Sequence, residues 1–145
     1  MEPQVQPRIV VGVDGSESSL AALDWAVHQA ELTGAMLEAV TTWEWPTSYG
    51  WSPPYPSDWD PSADAQEVLA DAVKRIRQTH SGVGLKTNVV ESHPAPALVE
   101  LSLRADLLVV GSRGHGEFVG MLLGSVSEHC VTNAHCPVVV MRGGD

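Results

Sequence analysis

The sequence predicts an α/β fold: a three-layer sandwich in which helices cover both faces of a doubly wound, five-stranded parallel sheet. Short runs of consecutive apolar residues, typical of strands buried on both faces, alternate with segments whose apolar residues recur every three or four positions. A glycine-rich stretch directly follows one of these strands. The length of 145 residues and the apolar content of 43% fit one domain, residues 1–145, with a full core.

The first 42 residues contain a β-α-β unit. An apolar run at residues 8–14 predicts the first strand, and Ser16 is a suitable N-cap for the helix that follows. This helix carries one apolar stripe to about Thr33, and Gly34 is a suitable C-terminal stop. The second strand is expected at residues 36–42.

Residues 43–61 interrupt the alternation. This segment holds four of the five tryptophans, both tyrosines and five of the ten prolines. Such a proline density excludes a helix or a long strand. Three interpretations stay open: a mobile surface loop, a lid over a ligand beside the second strand, or a surface that packs against a partner, for which tryptophan and tyrosine are favourable anchors.

The second half of the chain resumes the alternation of strands and helices, which requires right-handed crossovers and a parallel sheet. The last helix is expected to begin at Ser125, because residues 125–128 have the sequence of a capping box. The expected elements are a helix from Asp60 or Ser62 to about His80, a strand at residues 86–91, a helix from Pro94, a strand at residues 105–111, a helix from Ser125 to about Ala134 and a strand at residues 137–142.

The charge balance excludes several functions. Eighteen acidic and eight basic residues give a net charge of -10, so the average field repels nucleic acids and anionic membranes, and we expect neither as a partner. The sequence shows no apolar run of about 20 residues and no signal-peptide pattern at its start, which predicts a cytoplasmic location. Cys130 and Cys136 are expected to be free thiols, and the scattered histidines do not have the spacing of metal ligands.

Gly111, Gly114, Gly124 and Ser125 form the pattern Gly-x2-Gly-x9-Gly-Ser between a buried strand and a helix start. Glycines permit close approach of a phosphate, and a helix N-terminus attracts anions whatever the net charge. The pattern lacks the lysine of a Walker A loop, and no dinucleotide fingerprint follows the first strand. With Arg113 as its fixed cation, the loop would bind phosphate but would stabilise phosphoryl transfer poorly.

With these motifs the chain resembles the universal stress proteins, in the branch that binds ATP. The resemblance covers nearly the whole chain and includes the family's ATP motif, Gly-x2-Gly-x9-Gly-Ser/Thr, without a gap. It is carried by VVGVDGS at residues 10–16, ADLLVVGSRG at 105–114, LLGSVS at 122–127 and CPVVV at 136–140. It implies a Rossmann-like sheet of order 3-2-1-4-5, as in adenine nucleotide alpha hydrolases. One departure is Ser92-His93-Pro94, where many relatives have Gly-x-Pro.

The resemblance also implies a site for an adenine nucleotide, with ATP and Mg as ligands. Asp14 would face the ribose or a phosphate-bound metal ion, Gly111 would lie under the ribose, and Val13 and Val40 would contact adenine, Val40 through its backbone. Phosphates would be held by the backbone of Gly114, Gly124, Ser125 and Val126 and by the hydroxyls of Ser125 and Ser127. The candidate binding residues are Gly12, Val13, Asp14, Val40, Gly111, Ser112, Arg113, Gly114, His115, Gly116, Gly124, Ser125, Val126 and Ser127.

The function implied by the resemblance is a stress-response regulatory or sensing module with little or no turnover. Homodimers would form by antiparallel pairing of the fifth strand, Val138 to Met141. Two alternatives stay open: a slow ATP hydrolase or phosphotransferase that uses Asp14, and an interaction module that binds AMP or cyclic AMP. The residues alone also permit a purely structural glycine turn, a turn-forming role for Asp14, and solvent-exposed side chains at Arg113 and His115.

Overall fold

A computed structural model describes residues 6–45, 59–80, 82–114 and 123–143. Strands and helices alternate through these residues as the sequence predicts. None of the described helices is both long enough and apolar enough to span a membrane. The elements are β1 (Arg8–Gly12), α1 (Glu17–Thr33), β2 (Met36–Trp43), α2 (Pro61–Thr79), β3 (Leu85–Glu91), α3 (Pro94–Ser102), β4 (Leu107–Gly111), α4 (Ser125–Asn133) and β5 (Val138–Met141).

The five strands form one parallel sheet in the order β3-β2-β1-β4-β5, which confirms the predicted fold class and strand order. Gly12 of β1 pairs with Val40 of β2, and Val11 pairs with Val109 of β4 on the other side. The strand order reverses between β1 and β4. In a doubly wound sheet, ligands bind in the crevice at the carboxyl ends of the strands at this point.

Each face of the sheet is covered by its own pair of helices. On one face, α1 and α2 bury a core that includes Leu23, Leu37 and Ile76. On the other face, α3 and α4 bury a second core that includes Leu98 and Cys130. Burial on both faces explains why β1 and β4 carry apolar runs without alternation.

The ends of the elements differ from the prediction by one or two residues. β1 ends at Gly12 rather than at residue 14, because the chain turns into α1 through Gly15, whose φ is 84°. β4 begins at Leu107 rather than at residue 105, because Ala105 belongs to the turn after α3 and its N–H donates to the carbonyl of Ser102. For α2, Asp60 is the N-cap, as one of the two predicted alternatives, and its side chain accepts from the N–H of Ser62.

Candidate functional site

A cleft opens where the carboxyl ends of β1 and β4 meet, at the reversal of strand order. Its floor is formed by strand ends, and its rim by the first turns of helices and the connections that lead into them. The cleft is lined by Gly12, Val13, Asp14, Ser16, Ser19, Val40, Thr42, Pro94, Leu98, Val110, Gly111, Arg113, Gly114, Gly124, Val126 and Ser127. The two polar ends of the predicted site, Asp14 after β1 and the glycine loop after β4, are therefore brought together.

One side of the cleft is apolar. Val40 and Val110 contribute from the sheet, and Pro94 and Leu98 contribute from α3. Although α3 begins at the cleft, Pro94 and Pro96 lie in its first turn and have no N–H to donate. This helix therefore presents an apolar surface, suited to the face of an aromatic ring, rather than a group of hydrogen-bond donors.

The backbone of Val40 takes part in the sheet. Its carbonyl accepts the N–H of Val13 at 2.8 Å, so this oxygen is already used within the sheet. The peptide groups of Thr42, two residues further along β2, face the same side as those of Val40. They lie beyond the last pairing of β1, which joins Gly12 to Val40. Thr42 lines the cleft, and sequence analysis missed it.

The N-terminus of α1 is satisfied by the chain itself. Ser16 is the N-cap, as predicted, and its Oγ accepts from the N–H of Ser19 at 3.3 Å. Asp14 accepts the N–H of Ser16 at 2.8 Å and also its hydroxyl, which fixes the turn between β1 and α1. Asp14 is thus both a turn residue and a wall of the cleft, so the two interpretations of it are compatible.

The connection after β4 is held against the first turn of α1. Ser18 Oγ donates to the carbonyl of Arg113 and accepts the N–H of the same residue at 3.3 Å. Gly111 packs so closely that an added Cβ would lie 2.4 Å from Ser18 Oγ. The glycine at this position is therefore required by packing against α1, whether or not a ligand is bound.

The N-terminus of α4 is arranged differently from the predicted capping box. Gly124, not Ser125, is the N-cap, and as a glycine it supplies no capping side chain. The N–H of Gly124 donates to the carbonyl of Ser112 at 2.6 Å, which brings the chain back to the end of β4. The N–H groups of Val126 and Ser127 lie in the first turn, where an α-helix supplies no acceptor, and both residues line the cleft.

Two predicted binding residues support the cleft from behind. Ser112 is 3% exposed and is not among the lining residues; its N–H donates to the carbonyl of Met141 at 2.7 Å. Ser127 Oγ donates to the carbonyls of Ser112 and Gly124, at 2.9 and 3.1 Å. The structure thus directs the Ser127 hydroxyl to the protein, not to a phosphate, and leaves its N–H at the helix end.

The charged residues among the described walls of the cleft are Asp14 and Arg113. An added Cβ on Gly114 would lie 3.0 Å from Asp14 Oδ2, so this glycine brings the loop close to the carboxylate. Across the part of the chain that the structure describes, no group of three histidine, cysteine, aspartate or glutamate residues could hold a metal ion. A cation in the cleft would need ligands from a bound molecule in addition to Asp14.

Ten of the fourteen predicted binding residues line the cleft, including Gly12, Val13 and Gly124. Ser125 begins α4 beside it without being a lining residue, and His115 and Gly116 lie outside the described residues. Besides Thr42, the lining residues that the prediction missed are Ser16, Ser19, Pro94, Leu98 and Val110. The sequence predicts Ser16 and Pro94 at helix starts and Val110 in a strand, without assigning them to a binding site.

Two further sequence features border the cleft. The turn at Ser92-His93-Pro94 needs no glycine at the position of Ser92, since no described residue other than glycine has a positive φ. His93 Nδ1 lies 2.7 Å from Glu44 Oε2. The described ends of the Trp-rich segment meet edge to face, with Trp45 lying 6.1 Å from Trp43 and 5.7 Å from Trp59 between ring centroids. Residues 46–58 lie outside the described residues, so the three interpretations of that segment stay open.

Comparison with known proteins gives a consistent family. The model of the universal stress protein family matches residues 7–142. One universal stress protein of Mycobacterium tuberculosis is 35% identical over 150 residues, covering 99% of this chain and 50% of the relative. A second protein of that name from M. tuberculosis is 37% identical over 147 residues, covering 97% of this chain and 46% of the relative. The chain spans about half the length of these curated relatives.

Solved structures agree. The universal stress protein UspA from Lactobacillus plantarum has a TM-score of 0.70 and 26% identity, covering 96% of this chain and 100% of that one. A universal stress protein in complex with cAMP has a TM-score of 0.68 and 30% identity, covering 95% of this chain and 98% of that one. From its strand order, its glycine-loop cleft and these similarities, this chain belongs to the universal stress protein family.

Proposed function

We propose that this chain binds ATP with Mg in the cleft between β1 and β4 and acts as a stress-response regulatory or sensing module with little or no turnover. The observation that carries the proposal is the division of the cleft. One side is apolar, and the other ends at the first turn of α4, whose N-cap is a glycine and supplies no capping side chain. This matches a ligand with an aromatic ring at one end and an anion at the other.

We infer the orientation of the nucleotide from this division. The adenine ring would lie against Val40 and Leu98, and its polar edge would meet the peptide groups of Thr42. The ribose would lie near Asp14 and Gly111. The phosphates would point to Gly114 and the first turn of α4, where Val126 and Ser127 offer N–H groups.

ATP with Mg fits the residues present. Among the described lining residues the one carboxylate is Asp14, and Mg²⁺ is commonly held by one or two carboxylates together with phosphate oxygens and water. Bound there, Mg²⁺ would neutralise charge between the phosphates and Asp14. The chain's own contribution is to place that carboxylate, through its hydrogen bonds from Ser16.

Little turnover is expected because the described walls contain one cation, Arg113, and no lysine. Binding without chemistry can still regulate if the protein's conformations or partners differ in their affinity for the nucleotide. A slow ATP hydrolase that uses Asp14 is the alternative. Release of ADP that disappears in Asp14→Ala, while ATP binding persists, would favour the hydrolase.

A second ligand, cyclic AMP, is favoured by the 30% identical universal stress protein in complex with cAMP. Both ligands share the base and ribose, so the apolar side of the cleft accepts either. Calorimetric titration with ATP, AMP and cyclic AMP separates the candidates. The tightest binding by ATP supports our proposal, whereas tighter binding of cyclic AMP or AMP would replace ATP as the ligand.

The binding itself is tested by mass spectrometry of the native protein, which reports bound nucleotide and subunit number together. Gly114→Val should abolish ATP binding, because a branched side chain would press on Asp14 and fill the loop's approach to the phosphates. Gly82→Val is the matched control, since an added Cβ there meets no atom within 4 Å. If wild-type protein carries no nucleotide and ATP with Mg gives no thermal shift, the proposal fails.

We also propose that two copies pair through β5, which lies at an edge of the sheet. The carbonyls of Pro137 and Met141 accept N–H groups from Leu108 and Ser112. Peptide groups alternate along a strand, so those of Val138 and Val140 face the open edge. An apolar edge strand whose peptide groups face outward is a template for a second strand.

A further inference from the structure

We propose that Ser18 is a positioning residue for the phosphate-binding part of the cleft. It holds the backbone of Arg113, so that the chain beyond presents Gly114 to the ligand. This inference rests on the proposed nucleotide binding, and it concerns the phosphates alone. Ser18 is not part of the glycine pattern, and it does not line the cleft.

The geometry places Ser18 between two connections that are far apart in sequence. Its side chain lies in the first turn of α1 and is 5% exposed. Its Oγ forms hydrogen bonds with both backbone groups of Arg113: it donates to the carbonyl and accepts from the N–H. The N–H and the carbonyl of Arg113 are therefore both directed to α1.

The hydroxyl of Ser18 is not needed by its own helix. The N-cap of α1 is Ser16, whose Oγ accepts from the N–H of Ser19. A serine in the first turn commonly forms such local bonds to its own helix, but here the partner lies 95 residues away. The two hydrogen bonds of Ser18 thus serve the connection after β4.

Close packing of the end of β4 against α1 restricts the backbone at the start of the glycine loop. An added Cβ on Gly111 would lie 2.7 Å from the carbonyl carbon of Ser18, so the end of β4 and the first turn of α1 are in direct contact. Arg113, two residues later, is fixed by the same serine. Gly114 and Arg113 both line the cleft, already placed before any anion arrives.

Fixing binding groups in advance removes the entropy cost of ordering them when a ligand binds. The apolar side of the cleft, around Val40 and Leu98, receives no contribution from Ser18. The role of Ser18 therefore predicts that its loss affects ligands with and without phosphates differently. Its loss should weaken ligands that carry phosphates and leave the binding of adenosine unchanged.

The test compares ATP and adenosine on Ser18→Ala by calorimetry. We expect the dissociation constant of ATP to rise at least about tenfold and that of adenosine to change less than about twofold. Ser102→Ala is the matched control. Ser102 is 1% exposed, and its hydroxyl likewise bridges two backbone groups, the carbonyl of Val99 and the N–H of His135, away from the cleft. The Ser102→Ala protein should be less stable than wild type, with unchanged dissociation constants for ATP and adenosine.

An equal loss for ATP and adenosine, or no loss for either, would overturn the role of Ser18. If Ser18→Ala does not fold, Ser18→Cys, which keeps the size but is a weaker hydrogen-bond donor, is measured in the same way with the same two expected outcomes. If wild-type protein binds neither ligand, the proposed function itself fails and the role of Ser18 fails with it. If wild-type protein binds ATP but Ser18→Ala does not weaken ATP binding more than adenosine binding, the proposed function stands and the role of Ser18 fails.

Discussion

Replacing Gly111 with alanine should destabilise the protein even in the absence of nucleotide. Gly111 ends β4 and belongs to the glycine pattern, so its sequence context suggests a role in ligand binding alone. In the structure an added Cβ would lie 2.4 Å from Ser18 Oγ and 2.7 Å from both the carbonyl carbon of Ser18 and the N of Ser19. Two of these three atoms belong to the backbone, so rotating a side chain cannot relieve the overlap.

The size of the effect follows from this geometry. Relief requires the first turn of α1 to move away from β4, and overpacking of this kind costs about 1–3 kcal/mol. The melting temperature should fall by roughly 2–4 °C for each kcal/mol in a protein of about this size. Moving the turn would also lengthen the hydrogen bonds between Ser18 and Arg113, so ATP affinity should fall as well.

The assay is urea unfolding of protein stripped of nucleotide, followed by circular dichroism. The midpoint should fall with an unchanged m-value, which indicates a loss of stability rather than a change in the unfolded state. Gly82→Ala is the control: its Cβ meets no atom within 4 Å, so its free energy of unfolding should stay within about 1 kcal/mol of wild type. A Gly111→Ala protein that unfolds at the wild-type midpoint would refute the packing argument.

Three further predictions concern the metal, the thiols and the edge strand. Asp14→Asn should weaken ATP binding about tenfold when Mg is present and much less in excess chelator. The reason is that the amide oxygen of asparagine still accepts from Ser16 but is a poorer Mg²⁺ ligand than a carboxylate. An equal loss of ATP affinity under both conditions, measured by calorimetry, would contradict this role. Burial raises the pKa of the Cys130 thiol to about 11 and also raises the pKa of Cys136, so a thiol reagent at pH 8 should modify Cys136 slowly and Cys130 only after unfolding. Since the unfolded Cys130 thiol loses its proton near 9.0 and the folded one near 11, unfolding titrations should show this contribution to stability declining as pH rises through that interval. Val140→Pro removes an N–H that faces the open edge and keeps the hydrogen bonds between β5 and β4. It should therefore lower the dimer fraction in native mass spectrometry without unfolding the chain. An unchanged dimer fraction would exclude pairing through β5.

The order of the elements could be predicted because it depends on local patterns. Apolar runs without alternation indicated β1 and β4, and proline and glycine marked where helices begin and end. The strand order 3-2-1-4-5, by contrast, came from the family resemblance, since periodicity does not specify which strands are neighbours. The glycine pattern located one side of the cleft because its spacing is itself local.

What could not be predicted depends on contacts between distant residues. Ser18 meets Arg113 across 95 positions, and no spacing rule links them. The capping box at Ser125 failed because the loop returns to Ser112, whose carbonyl takes the N–H of Gly124 and sets Gly124 as the N-cap. Thr42 was missed because its role depends on where the neighbouring strand β1 ends.

An anion site in a chain of net charge -10 requires local donors rather than an attractive average field. The charges of Asp14 and Arg113, in the described walls of the cleft, cancel formally. Three helices begin at this cleft: α1 is capped by Ser16, and the first turn of α3 contains two prolines, so neither offers a full set of N–H groups. The first turn of α4 follows a glycine N-cap, which supplies no side chain to its N–H groups, and its partial positive charge favours an anion at short range, where salt screens it little. Affinity should therefore depend on the placement of backbone groups at Gly114 and α4 more than on the number of acidic residues elsewhere on the surface.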